Sequence, residues 1–326
     1  MDLIRGLHNV RPRHCGAALT IGNFDGVHRG HLAMIRRLKA WAASHGAPAV
    51  AVTFEPHPLE FLRPEAAPYR LTGLRDKVRM LAAAGVDAVL CLPFGSRLAA
   101  LEPEAFADRL TGAFAARHLL VGDDFRFGRG RRGDYALLAS AGERGGFAVE
   151  RMETVADATP VDGVQRISST RIRDLLSQGR FDEAAALLGW RYRVSGRVVR
   201  GDGIGRKLGW PTVNLRLPPS PPPLAGIYAG RVYSNSDRRV RGLDGWPAAI
   251  SVGVRPTVGG RATVFEAYLI DFEGDLYGRH LSVEPEVRLR NEEHFPDLQA
   301  LTAQIGIDVA RAREVLAAEM TISKGR

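Results

Sequence analysis

Short apolar runs alternate with amphipathic stretches over the first 188 residues of the chain. The apolar runs have the length of buried strands and lie at residues 17–21, 49–54, 86–92, 118–121 and 147–155. Between them apolar residues recur every three or four positions, which predicts helices after residue 31 and over 75–84, 102–114 and 135–143. This alternation predicts a doubly wound, Rossmann-like α/β domain with a parallel sheet.

The pattern changes at residues 187–190. Beyond this point the sequence predicts short strands at 192–199, 212–217, 226–233, 248–253, 263–271 and 280–289. Only residues 297–320 near the end are strongly helical. Short strands separated by glycine and proline turns predict a small β-barrel, here followed by a C-terminal helix. We therefore expect two domains, residues 1–187 and residues 188–326.

Composition narrows the class of protein. An apolar content of 45% and a charged content of 25% are typical of globular chains. The net charge of +9 suits either nucleic-acid binding or an enzyme that handles polyanionic nucleotides. No strand interleaves aromatic with basic residues, so we expect no nucleic-acid partner.

The same sequence indicates where the protein works. Two cysteines fit a reducing compartment, and neither a signal peptide nor a membrane-spanning apolar segment is evident. We expect a cytoplasmic protein that binds no membrane, and the sequence leaves a homo-oligomer open.

Residues 22–31, GNFDGVHRGH, follow the first predicted buried strand and open a helix. Gly22 and Gly26 allow a tight turn and a close approach of backbone to a ligand. His28 and His31 share a face at the helix start, where free N–H groups favour an anion. This arrangement predicts a phosphate site. A metal-binding histidine pair and two solvated histidines are the alternatives, although no further ligands lie nearby in sequence.

Three other stretches follow predicted strands or open a helix. Residues 53–58, TFEPHP, form a stiff loop, and residues 121–128, VGDDFRFG, combine aromatic rings with polar groups. Residues 167–173, ISSTRIR, carry hydroxyls and arginines at a helix start. Loop rigidity is one explanation for residues 53–58, and helix capping is one for residues 167–173. Anion binding is a second explanation for residues 167–173.

These stretches resemble the signatures of the nucleotidyltransferase superfamily. The GNFDG lead-in is similar to one branch of it, the prokaryotic bifunctional riboflavin kinase/FAD synthetases. The resemblance implies that His28 and His31 are catalytic. It implies ATP contacts from Gly22, Asn23, Phe24, Asp25, Ser169, Thr170 and Arg173. It implies flavin contacts from Pro56, His57, Pro58, Asp124 and Phe125.

A second glycine-rich stretch, residues 201–215, GDGIGRKLGWPTVNL, lies in the predicted barrel. It lacks the Gly-Lys-Ser/Thr of a Walker A loop, and a mobile hairpin connection is the alternative. The stretch resembles the riboflavin kinase signature. The resemblance implies that Gly203, Gly205 and Lys207 cover ATP, and that Thr212 and Asn214 hold Mg²⁺. Residues two apart on a strand share a face, so both oxygens can reach one ion.

Glu266 is a lone carboxylate among apolar neighbours in residues 264–272. An ion pair with an arginine at the barrel rim is one explanation. The resemblance implies instead the catalytic base that a weakly nucleophilic ribityl hydroxyl requires. It also implies that Arg288 and Arg290 face the flavin.

Taken together, the resemblance implies two consecutive reactions. Riboflavin and ATP would give FMN in the barrel, and FMN and ATP would give FAD and pyrophosphate in the N-terminal domain, both with Mg²⁺. The alternative is a nucleotidyltransferase with a single activity, whose barrel only docks a partner.

Overall fold

The chain forms two compact units, Met1–Ser169 and Thr170–Arg326. The structure is a computed structural model. It describes residues 1–156, 166–218, 221–234, 243–257 and 260–324.

The first unit is an α/β domain built on one six-stranded sheet. Its strands are β1 (Asp2–Arg5), β2 (Ala18–Ile21), β3 (Ala49–Glu55), β4 (Ala88–Pro93), β5 (His118–Gly122) and β6 (Ala148–Met152). Its helices are α1 (Arg29–Ser44), α2 (Pro58–Leu62), α3 (Leu74–Ala83), α4 (Ser96–Ala99), α5 (Pro103–Phe114) and α6 (Tyr135–Gly145). The strand order is β1-β4-β3-β2-β5-β6, and neighbouring strands are parallel. The predicted Rossmann-like fold is confirmed.

β2 lies at the point where the order of the strands reverses. It pairs with β3 on one side and with β5 on the other, and all four of its residues are buried. Ile35 and Leu38 of α1 and Leu81 of α3 are also fully buried in the unit. Ligands of open α/β sheets bind beyond the carboxyl end of such a strand. The loop of residues 22–28, between β2 and α1, occupies this place.

The second unit is a closed antiparallel barrel with a long C-terminal helix. Helices α7 (Ser169–Ser177) and α8 (Phe181–Leu188) precede the barrel, and α7 begins on the last residue of the first unit. The strands are β7 (Val194–Val199), β8 (Val213–Arg216), β9 (Gly226–Ser234), β10 (Asp244–Thr257), β11 (Gly260–Leu269) and β12 (His280–Arg290). The remaining helices are α9 (Ile204–Lys207) and α10 (Leu298–Lys324). Around the barrel the order is β10-β11-β8-β7-β12-β9, so the predicted barrel and terminal helix are confirmed.

Large apolar side chains fill the barrel, and α10 covers part of its wall. Tyr228 and Phe265 have no exposed surface. Val309, Ala312 and Leu316 of α10 are buried in one apolar cluster with Ala229 of β9. Among the described residues, no helix has the length and apolar character needed to span a membrane.

The division between the units falls earlier than the predicted border at residue 187. Contacts place α8 with the barrel, because the ring of Phe181 meets that of Tyr228 edge-on at 5.7 Å. Leu187 and Leu188 of the same helix are buried as well. The border at residue 187 stays a prediction, and the stability of fragments can test it.

We expect a fragment of residues 170–326 to have a larger free energy of unfolding than a fragment of residues 188–326. The longer fragment keeps Phe181, and burial of one such side chain contributes about 1.5–3 kcal/mol. Urea unfolding followed by circular dichroism measures both values. Equal free energies would show that α8 adds nothing to the barrel.

Candidate active sites

The loop after β2 has an unusual backbone. Phe24, Gly26 and Val27 all have positive φ, at 47°, 80° and 38°. Glycine tolerates this left-handed region, whereas other residues are strained there and keep it only where the surroundings hold them. The side chain of Phe24 is fully buried, so only its backbone is available for the predicted contact with ATP.

Buried hydrogen bonds hold this loop in place. The carboxylate of Asp25 accepts from the backbone N–H groups of Leu71 and Thr72, at 3.1 and 3.0 Å. The hydroxyl oxygen of Thr72 accepts from the N–H of Gly26 at 3.0 Å. Asp25 is 3% exposed, so its side chain holds the loop from the buried side. Direct contact between Asp25 and ATP stays a prediction.

The loop brings the two predicted histidines together at the start of α1. His28 is the N-cap residue, and its Nδ1 accepts from the backbone N–H of His31 at 3.4 Å. The two imidazole rings stack with centroids 3.6 Å apart, and the edge of Phe24 meets His31 at 5.2 Å. The shared face that the sequence predicts is therefore present.

Burial and positive charge keep His31 neutral. Burial lowers the pKa of His31 well below its ordinary value, and the charges of His28, Lys77 and Arg166 act in the same direction. Its Nδ1 is buried and has no hydrogen-bond partner among the described residues. A bound phosphate would supply both a hydrogen-bond partner and a compensating charge.

Asn23 lies in the loop, Ser169 contacts it, and Asp124 is linked to the site through Arg166. Asn23 is exposed, and its carbonyl accepts from the hydroxyl of Thr53 at 3.2 Å. The hydroxyl of Ser169 donates to the carbonyl of Asp25 at 2.9 Å. Asp124 forms an ion pair at 2.7 Å with Arg166, one of the cations that act on His31.

The remaining predicted residues of the first site are less closely tied to it. Gly22 follows β2 and donates its backbone N–H to Val52 at 3.0 Å. Phe125 is half-buried, and its ring stacks on Phe127 at 5.4 Å. Thr170 and Arg173 follow Ser169 in α7, in the part of this helix that belongs to the second unit.

The TFEPHP loop is shaped by capping. His57 is the N-cap of α2, and its ring Nδ1 accepts from the backbone N–H of Leu59 at 3.2 Å. The backbone N–H of His57 donates to the carboxylate of Glu60. Burial lowers the pKa of His57 to about 4, so the ring is neutral. Pro56 is exposed and Pro58 is the first residue of α2. Rigidity thus explains the sequence of this loop, and flavin contact from it stays a prediction.

Sequence reasoning missed two buried cations under this site. Arg70 is 6% exposed and binds Glu55 at 2.8 and 3.0 Å and Glu60 at 2.6 Å. Lys77 is 2% exposed and faces β3 from α3. The position of Lys77 on the apolar stripe of α3, four residues before the buried Leu81, is the signal that identifies it.

The second site lies in the barrel unit, at a cavity of about 510 Å³. Glu266 on β11 is directly opposite Asn214 on β8, and residues in such a pair point to the same face. Glu266 and Thr212 both line the cavity. The structure thus brings together the predicted base and the two predicted magnesium ligands.

The glycine-rich loop folds against these residues. A Cβ at Gly201 would lie 2.6 Å from the side-chain oxygen of Asn214, so a larger residue there would displace the Asn214 side chain. Gly203 is the N-cap of α9, a single helical turn that the sequence did not predict. Gly205 lines the cavity, and Lys207 is exposed on α9.

The hydroxyl of Thr212 and the carboxylate of Glu266 line the cavity, and the amide of Asn214 lies opposite Glu266. Oxygen ligands of these kinds are the ones that Mg²⁺ prefers, so the residues present fit this ion. Within the described parts of the chain, no group of three or more His, Cys, Asp or Glu could hold a metal alone. Two protein oxygens leave most positions around Mg²⁺ to water and to substrate phosphates. Binding of Mg²⁺ by Thr212 and Asn214 stays a prediction.

The two arginines predicted to face the flavin differ in position. A shift in register separates Arg288 from Arg290 on β12, so they do not follow simple alternation. Arg290 lines the cavity and binds Asp308 on α10 through hydrogen bonds of 2.7 and 2.9 Å. Arg288 is exposed and donates to Asn291 and to the carbonyl of Ala225. Flavin contact from either stays a prediction.

The sequence of the chain matches two known families and several known proteins. The sequence model of the FAD synthetase family matches residues 10–171, and that of the riboflavin kinase family matches residues 188–316. A bifunctional riboflavin kinase/FMN adenylyltransferase of Pseudomonas fluorescens is 46% identical over 321 residues, which cover 97% of this chain and 98% of the relative. The protein of the same name from Escherichia coli K12 is 43% identical over 96% of this chain and 97% of its own length.

The chain belongs to the bifunctional riboflavin kinase/FMN adenylyltransferase family. The fold has a solved counterpart over nearly the whole chain. This structure, from Streptococcus pneumoniae, is titled a macrolide-efflux protein and is 27% identical. It superposes with a TM-score of 0.73 over 96% of this chain and 99% of the other.

We expect Arg70→Met to lower the free energy of unfolding of the first unit by about 2 kcal/mol, since hydrogen bonds to charged groups are lost. Burial raises the pKa of Glu60, but the hydrogen bonds from Arg70 outweigh burial and lower it. The stabilisation is therefore complete above the ordinary pKa of Glu60 and disappears as the pH falls through the lowered value.

Urea unfolding at about pH 7 and about pH 3 measures this difference between parent and variant. The difference should shrink in acid. Arg63→Met, which removes an exposed arginine next to the same helix, is the matched control. A difference that is the same at both pH values would contradict the assigned role of Glu60.

Proposed function

We propose that the chain makes FAD from riboflavin in two steps, one in each unit. The barrel transfers the γ-phosphoryl group of ATP to riboflavin, giving FMN and ADP. The N-terminal unit transfers the adenylyl group of a second ATP to FMN, giving FAD and pyrophosphate. The observation that carries the proposal is that the chain forms two compact units and that two family models, FAD synthetase over residues 10–171 and riboflavin kinase over residues 188–316, match it one after the other.

Adenylyl transfer needs alignment and charge neutralisation, because the phosphate of FMN is already an anion at neutral pH. The positive end of the α1 helix dipole lies at its N-terminus, where His28 and His31 stand, and favours an anion there. Anion binding next to His31 offsets the cost of protonating its ring, so this histidine gains a hydrogen-bond donor as the substrate binds. The two histidines would then bind the phosphates in the transition state as charge moves to pyrophosphate.

Phosphorylation of riboflavin makes a different demand. The terminal hydroxyl of the ribityl chain must lose its proton before or as its oxygen attacks the γ-phosphorus. Glu266 lines the cavity and is the base that would accept this proton. Mg²⁺, when bound by Thr212 and Asn214, neutralises phosphate charge. The glycine-rich loop would cover the phosphates, with Gly203 and Gly205 allowing a close approach of backbone.

The same proposal includes a reducing, cytoplasmic location, which the two free thiols of Cys15 and Cys91 support. A single-activity transferase with a docking barrel is the second candidate. The cavity that joins Glu266, Thr212 and the glycine-rich loop favours a catalytic barrel instead.

We expect His28→Ala or His31→Ala to slow FAD formation about 10²–10³-fold, since each variant loses one transition-state donor. FMN should still accumulate from riboflavin, because the barrel is unchanged. Chromatography of flavins after incubation with riboflavin, ATP and Mg²⁺ measures both products. His45→Ala, at the other end of α1, is the matched control. Undiminished adenylyl transfer in both histidine variants would refute their assignment.

We expect Glu266→Gln to slow FMN formation about 10²–10⁴-fold, because glutamine keeps the shape of the side chain but accepts no proton. Given FMN directly, this variant should still make FAD at the parental rate. Glu273→Gln, which changes an exposed residue in the connection between β11 and β12, controls for loss of a carboxylate alone. Full riboflavin phosphorylation by Glu266→Gln would remove Glu266 from catalysis.

A further inference from the structure

A nearly inaccessible lysine lies beneath the N-terminal site. Lys77 is 2% exposed, and its Nζ lies 3.5 Å from the hydroxyl oxygen of Thr53. Burial lowers the pKa of its ammonium group, whereas the negative charges of Asp25 and Glu55 raise it. Lysine is almost never fully buried unless it is paired. The proposed chemistry does not use this amine, so its burial has another cause.

Lys77 is linked to the β2–α1 loop in two ways. The hydroxyl of Thr53, beside Nζ, donates its hydrogen to the carbonyl of Asn23 at 3.2 Å, which leaves its oxygen free to accept. Asp25, whose charge stabilises the ammonium, is bound to the backbone of residues 71–72. Thr53 thus joins Nζ to the loop through its hydrogen bond to Asn23, and the charge of Asp25, a residue of the loop itself, acts on the ammonium. This strained loop leads directly into His28.

We propose that Lys77 is a positioning residue for adenylyl transfer: its ammonium group neutralises Asp25 and hydrogen-bonds Thr53, and so fixes the loop that presents His28 and His31. The inference rests on the proposed role of the two histidines. A lysine that only stabilises the fold would affect the folded fraction, whereas a positioning lysine affects the turnover of folded molecules.

The test uses the full chain and three variants. Lys77→Met removes the charge but keeps the length of the side chain, Asp25→Asn removes its counter-charge, and a double variant removes both. Turnover and KM of adenylyl transfer are measured well below the melting temperature of each protein, with riboflavin phosphorylation followed in the same preparation. Arg79→Met, an exposed arginine on α3, is the matched control.

We expect Lys77→Met to lower the turnover of adenylyl transfer about 10²-fold, because small misplacements of catalytic groups cost rate on this scale. Riboflavin phosphorylation and the Arg79→Met control should keep parental rates. The double variant should lose no more than Lys77→Met alone, since residues that act as one pair are not additive. A simple packing role predicts no such coupling.

Three results would overturn the inference. These are turnover of Lys77→Met within twofold of the parent, parental turnover in the double variant, and losses that multiply in the double variant. If Lys77→Met does not fold, the double variant decides. A folded double variant with low turnover supports the positioning role, and an unfolded one shows that Lys77 serves folding alone. His31→Ala, assayed alongside, separates the two proposals, because full activity there refutes the assigned site whatever Lys77 does.

Discussion

The N-terminal site depends on the hydrogen bonds that the buried carboxylate of Asp25 accepts from the backbone of residues 71–72. The loop after β2 contains two non-glycine residues in the left-handed region, Phe24 and Val27, each costing about 1–3 kcal/mol. Hydrogen bonds to a charged group contribute about 1.5–3 kcal/mol each, and Asp25 accepts such bonds from Leu71 and Thr72. The two terms are of similar size. The loop can therefore keep the conformation that makes His28 an N-cap and stacks its ring on His31.

In the second unit, the residues of the site are held in place by strand pairing in the closed barrel. Pairing of β8 with β11 sets Asn214 opposite Glu266, and this register is fixed because a slip of one residue would turn Glu266 away from the cavity. Gly201 leaves room for the side chain of Asn214, which a Cβ at this position would displace. The precision of this site thus comes from strand pairing, whereas that of the first site comes from buried hydrogen bonds.

The sequence predicts those parts of the fold that leave a hydrophobic pattern over many consecutive residues. Long periodic segments and buried strands were found, because their signal extends over many residues. β1 was missed since its four residues include Asp2 and Arg5, and α2, α4 and α9 are too short to show a period. At the sites, residues adjacent in sequence were brought together as expected. Contacts between distant segments, such as Arg290 with Asp308 or Asp25 with residues 71–72, leave no local signal.

The two reactions differ in the protonation state of the nucleophile: a hydroxyl still carries its proton, whereas a phosphate is already ionised. The two proposed sites differ in the groups that they present to it. A neutral hydroxyl must be deprotonated, and the barrel places a carboxylate in its cavity. A phosphate nucleophile arrives ionised, and the site proposed in the first unit has two histidines at a helix N-terminus. Without substrate, burial and neighbouring positive charge disfavour protonation of His31. In the proposed mechanism, phosphates bound beside His31 would oppose both effects, so the site would gain positive charge when the substrate that requires it is bound.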